Sequence, residues 1–262
     1  MVVDELGIDT DLVRQRIVDF LRQEYSRAGF SRAVIGLSGG IDSALACWLA
    51  VEALGRENVR AVLMPYGCAD SGGEADARLL IGKLRIPHVR VNIKPMVDPL
   101  VESYPEMGAR RRGNIMARMR MIVLLDQSEE FGGLVVGTSN KTEILLGYFT
   151  LGGDSVAAVK PLGDLYKCQV RQLSRAVGVP EHIITKPPSA GLWDGQTDEG
   201  ELGFSYDDAD RVLSLFVDEK MNEEEIVQTG LSKGLVRRVL QRMQATEFKR
   251  VSVPVAMVPR AA

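Results

Sequence analysis

Apolar residues recur at helical spacing between Asp9 and Ala28, with Leu12, Val13, Ile17, Phe20 and Leu21 on one face, and Gly29 predicts the stop. The next apolar run, Ala33-Val34-Ile35-Gly36-Leu37, is short and continuous and ends in Ser-Gly-Gly, which predicts a buried strand and a tight turn. The alternation then repeats. Helices are expected over 43–54, 74–84, 115–129, 164–177 and 232–245, and strands over 59–64, 88–93 and 134–137. Continuous apolar strands separated by helices predict an α/β chain: one Rossmann-like domain with a parallel sheet and helices on both faces. Such sheets take ligands at the carboxyl ends of their strands, near the topological switch point. Two stretches rich in Pro and Gly, 94–113 and 186–204, are expected to be mobile loops, because idle connectors are shorter.

Composition narrows the function classes. Of 262 residues, 45% are apolar and 26% charged, and 32 basic against 35 acidic residues give a formal charge of −3, which excludes a disordered tail and supplies no general drive toward nucleic acid. No stretch approaches the ~18 apolar residues that cross a bilayer. The three cysteines, Cys47, Cys68 and Cys168, form no C-x-x-C pair, and the acidic N-terminus carries no secretion signal, so a cytoplasmic location is expected. With two histidines and no paired cysteines, a zinc site is not expected.

The sharpest chemical signal is Ser38-Gly39-Gly40-Ile41-Asp42-Ser43, directly after the first strand and directly before a helix. Two glycines allow close backbone approach, and the free N–H groups of the following helix attract an anion. The string is neither a Walker loop nor a G-x-G-x-x-G fingerprint. A carboxylate at Asp42 would repel phosphate unless it held Mg²⁺, which takes carboxylate and phosphate oxygens together.

This string resembles the pyrophosphate loop of the ATP pyrophosphatases, in the adenine nucleotide α-hydrolase-like fold. Further segments resemble NAD synthetases in particular. These are Gly113-Asn114-Ile115, Ala117-Arg118-Met119-Arg120-Met121, Gly137 to Glu143, Gly147-Tyr148-Phe149-Thr150, Gly153-Asp154, Leu165-Tyr166-Lys167, Lys186 to Leu192 and Gln196 to Glu199. The resemblance spans residues 10–254. It implies that Gly36, Leu37, Ser38, Gly39, Gly40, Ile41, Asp42 and Ser43 bind the phosphates of ATP, a co-substrate. It also implies that Thr138, Lys167 and Ser189 contact ATP, that Asp42 and Glu143 hold Mg²⁺, and that Asp42 and Lys167 act in catalysis. Asn114, Arg118, Asp154, Lys249 and Arg250 would bind the acid substrate, nicotinate adenine dinucleotide (deamido-NAD). The implied reaction is ATP-dependent amidation with ammonia through a carboxyl-adenylate, releasing AMP and pyrophosphate, in a homodimer. The first strand starts near residue 33, so a single synthetase domain over 1–262 without a glutaminase domain is expected, with ammonia free or delivered by a separate subunit. Taken singly, Thr138 reads as a turn residue and Glu143 as a solvated helix charge, a reading also open to Lys167. Met116, Met119 and Met121 read as packing, in the core or against another subunit.

The acceptor segment departs from the family pattern. Leu151 stands where the family has Lys, Ala158 where it has Asp, and Phe248 where it has His. A charge-assisted contact is worth ~1.5–3 kcal/mol, so the loss of several points to compensation by Lys249, Arg250 or Arg110 to Arg112, or to a smaller or less charged acid. Two alternatives therefore stand beside the main reading: a related amide ligase acting on another carboxylate, and a nucleotide-binding module without catalysis.

Overall fold

The computed structural model describes residues 6–67, 73–193 and 195–258, and Cys68 lies outside them. Four parallel strands form one sheet in the order β3-β2-β1-β4: β1 (Ala33–Gly36), β2 (Val59–Leu63), β3 (His88–Arg90) and β4 (Leu134–Val136). Side chains alternate across it. Ala33, Ile35, Ala61, Leu63 and Val136 enter one core with α1 (Thr10–Ala28), α2 (Ile41–Leu54), α3 (Gly73–Leu84) and α7 (Lys167–Val177). Val34, Val62 and Val135 face the opposite core, with α4 (Lys94–Glu102) and α5 (Ala109–Phe131). Helices thus cover both faces, which is why β1 and β4 read as unbroken apolar runs. Met116 and Met121 are buried in the second core and Met119 packs against it.

A third core closes the C-terminal part. There α6 (Lys141–Leu146), α10 (Tyr206–Val217), α11 (Glu223–Gln228) and α12 (Lys233–Ala245) bury Leu146, Val212, Leu213, Ile226, Val236 and Val239. The short α8 (Glu181–Ile184) and α9 (Asp198–Leu202) lie between α7 and α10, and α9 takes up part of the loop expected over 186–204.

Segment 94–113 is not a loop. Pro95 sits in the first turn of α4, where a missing N–H has no helical partner to lose, and α5 begins at Ala109 behind Gly108. Beyond β3, Val91 N–H still donates to Leu63 O and Ile93 N–H to Pro65 O, so the chain follows β2 past the end of the ladder. The helix expected from 164 starts at Lys167.

Candidate active site

β1 lies between β2 and β4, so the chain leaves the sheet in opposite directions on its two sides and opens a crevice at the strand ends. The Ser38–Ser43 turn fills it. Gly39 has φ +80°, and a Cβ there would lie 2.0 Å from Gly73 O, so neither the backbone angle nor the space admits another residue. Two hydroxyls stitch the turn: Ser43 Oγ donates to Gly40 O at 2.9 Å, and Ser38 Oγ accepts Gly40 N–H at 3.2 Å. Gly40 caps α2 with no side-chain oxygen, so the first turn of this fourteen-residue helix presents its N–H groups to an incoming anion.

Three charged side chains from three elements converge beside this turn. Lys167 Nζ, at the start of α7, is 2.5 Å from Asp42 Oδ2 of α2 and 3.5 Å from Glu143 Oε1 of α6. Asn140 Nδ2 donates to Asp42 Oδ1 at 2.8 Å, and Asn140 and Glu143 form the capping box of α6. Lys167 is 2% exposed. Burial alone would lower its pKa, but Asp42 and then Glu143 outweigh it and the net direction is upward, which keeps the ammonium charged. Glu143 is pushed up to about 8, first by burial and then by Asp42. One ammonium cannot balance two ionised carboxylates, so Glu143 keeps its proton near neutral pH.

A third carboxylate flanks the group. Asp198 of α9 accepts hydrogen bonds from Tyr148 Oη at 3.0 Å, Tyr206 Oη at 3.1 Å and Ala190 N–H at 3.1 Å. The Tyr206 ring lies 5.0 Å from Lys167 Nζ. Asp198 thereby ties segment 186–197 to the lysine. Ser189 sits in that segment, where its hydroxyl donates to Gln196 O at 2.8 Å. Thr138 is half-buried one residue beyond Gly137, at the exit of β4.

The other expected residues gather around loop 147–155. Thr150 donates through Oγ1 to Asn114 Oδ1 at 3.0 Å and through N–H to Asp154 Oδ1 at 2.9 Å. Arg118 Nε donates to Leu151 O at 3.0 Å. Burial raises the pKa of Asp154. Lys249 gives two of its three donors to Gly147 O and Phe149 O, both at 2.7 Å, and Arg250 bonds Leu145 O and Met243 O. These two cations therefore hold the carbonyl end of α6 and the loop that follows it. Leu151 and Phe248 are exposed.

Sequence reasoning missed Asn140, Asp198 and Tyr206. The Asn-x-x-Glu spacing of the capping box was a readable signal for the first. Asp198 lies within the family-like segment Gln196 to Glu199 without a role of its own there, and Tyr206 carries no signal.

The family model described as NAD synthase matches residues 13–253. The NH3-dependent NAD+ synthetase of Trichlorobacter lovleyi is 51% identical over 248 residues, covering 95% of this chain and 91% of that protein. The same-named protein of Fusobacterium nucleatum is 43% identical, with 98% and 100% covered. Among solved structures, the NMN synthetase of Francisella tularensis superposes with a TM-score of 0.82 at 33% identity, covering 97% of this chain and 100% of that one. The NH3-dependent NAD synthetase of Campylobacter jejuni in complex with nitrate also superposes at 0.82, with 31% identity and 95% and 100% covered. From the turn at the sheet's switch point to loop 147–155, the matched region contains the whole constellation described above, and the chain belongs to the NAD synthase family.

Proposed function

We infer that this chain is a carbon–nitrogen ligase that amidates deamido-NAD with ammonia at the expense of ATP, giving NAD+, AMP and pyrophosphate. The observation that carries the roles of individual residues is the convergence of Asp42, Glu143 and Lys167 beside the uncapped start of α2. In this reading the N–H groups of 39–43, with Ser38 and Ser43, grip the triphosphate. Thr138 and Ser189 border the nucleotide. The Lys167 ammonium faces the charge that builds on the departing pyrophosphate, a preorganised electrostatic role. Asn114, Arg118 and Asp154, with Lys249 and Arg250 behind them, shape the acceptor side. Segment 186–197 keeps water from the acyl-adenylate so that ammonia attacks it.

Asp42 and Glu143 offer two adjacent carboxyl groups, the second freed by loss of its proton, which suits Mg²⁺, an ion that binds through one or two carboxylates and completes its shell with phosphate oxygens and water. Bound there, the ion would supply Lewis-acid stabilisation of phosphoryl charge. Free thiols at Cys47 and Cys168 accord with a cytoplasmic location. The homodimer is supported by an apolar face on α5, where Ile122 and Leu125 are 58% and 49% exposed on the side that carries Arg118.

A second reading is favoured by Leu151 and Phe248, which leave the acceptor side short of charge: the acid would be smaller, as a nicotinate mononucleotide is. The protein, given ATP, Mg²⁺, ammonium and deamido-NAD, is expected to release AMP and NAD+ one for one. Asp42→Asn is expected to lower AMP formation ~100–1,000-fold with an unchanged circular dichroism spectrum. AMP formation with the mononucleotide acid alone would transfer the assignment to the second reading, and full turnover by the variant would remove Asp42 from the chemistry.

A further inference from the structure

Lys167 is the first residue of α7, and the cap residue, Tyr166, supplies no side-chain acceptor to that helix's first N–H groups. Gln169 Oε1 accepts the Tyr166 N–H at 3.0 Å, but the Tyr166 side chain makes no cap hydrogen bond over the first turn, and its hydroxyl donates away to Asp218 Oδ2 at 2.8 Å. The first N–H groups of a helix need partners when they are buried. Here the partners come from two other helices. Lys167 N–H donates to Thr142 Oγ1 of α6 at 3.0 Å, and Cys168 N–H donates to Asp210 Oδ2 of α10 at 2.8 Å. The Thr142 hydroxyl then gives its one proton to Asp210 Oδ1 at 2.5 Å. Thr142 and Asp210 are 0% and 1% exposed, so water does not compete for these bonds.

The arrangement is directional. Thr142 precedes Glu143 in α6, and its oxygen holds the backbone of Lys167. The same hydroxyl therefore sets how far the ammonium stands from the Glu143 carboxylate and from Asp42. We propose that Thr142 and Asp210 form a brace that positions Lys167 for adenylyl transfer, a role distinct from holding α10 in the fold. The proposal rests on the ligase reading above.

Thr142→Val keeps the shape and removes both bonds, whereas Thr142→Ser keeps the hydroxyl. The expected result for Thr142→Val is a kcat ~10–100-fold lower, the scale of a misplacement of about 1 Å, with KM for ATP within about twofold of wild type. Thr142→Ser should recover most of that loss. In crystals of Thr142→Val the Lys167–Asp42 contact should be broken. Asp210→Asn, which keeps volume but loses one acceptor, gives the same comparison if Thr142→Val does not fold, and its kcat should fall in the same way. A folded variant with wild-type kcat and a lowered Tm alone would overturn the brace, as would a retained Lys167–Asp42 contact or a serine variant no better than valine. Wild-type turnover, measured alongside, tests the ligase reading separately. The crystal contact tests the brace even if that turnover is absent.

Discussion

Glu143 carries a pH dependence whose sign follows from its surroundings. Its carboxyl titrates near 4.5 when unfolded and at about 8 in the fold, first because it is buried and then because Asp42 is close. The native state therefore holds a proton that the unfolded chain has lost, and stability falls as pH rises between these two values. Burial shifts Asp154, Asp198 and Asp210 in the same direction. Thermal melts of the ligand-free protein should show Tm declining across this range, and less steeply for Glu143→Gln. A divalent cation bound there must expel the proton, so below pH 8 its calorimetric binding heat should vary with the ionisation enthalpy of the buffer. A heat independent of buffer would separate Glu143 from the metal. Asp42 was legible in the sequence because it belongs to a contiguous string. Glu143 and Lys167 were legible only through resemblance, since each alone reads as a surface charge. Thr142 and Asp210 were not legible, because the bond joining them spans 68 residues and a buried Asp looks like any other.

At the level of elements, the turn after β1 and the helix α3 behind it give contrasting glycines. Gly39→Ala meets the Gly73 carbonyl at a positive φ, a strain of ~1–3 kcal/mol. If it falls on the ligand-bound turn, KM for ATP should rise ~5–150-fold. Gly82→Ala, inside α3 with nothing near its Cβ, should instead stabilise the protein by ~0.5–1 kcal/mol with KM unchanged. Denaturant titration and steady-state kinetics on the pair read both effects. Equal KM values would show that the turn does not hold the triphosphate. The apolar strands β1, β2 and β4 were legible because the sheet is covered on both faces. Helix α4 was hidden by Pro95 and Pro99, which signal a break unless the first turn absorbs one of them. Helix α10 was hidden by Asp207, Asp208 and Asp210, which dilute its apolar stripe.

On the scale of the whole molecule, the exposed face of α5 predicts self-association. Wild-type protein should sediment as a dimer, and Ile122→Asp combined with Leu125→Asp as a monomer with an unchanged circular dichroism spectrum, because neither side chain is buried within the single chain. A monomeric wild type would leave that face unexplained. The acceptor side was the least legible part of the chain. Lys249 and Arg250 looked like ligand-facing cations, yet the carbonyls they bind belong to a helix end and leave no mark in the sequence. That clasp reaches beyond binding. Arg242 holds Leu146 O, Arg250 holds Leu145 O, and Thr246 packs so tightly on Gly147 that a Cβ there would come within 2.4 Å. The helix bearing Glu143 is thus fastened by residues 96 and 105 positions further along the chain. A nascent chain reaches its working form only after Arg250 has emerged, and a cut before residue 242 would unfasten the centre of the enzyme from its rim.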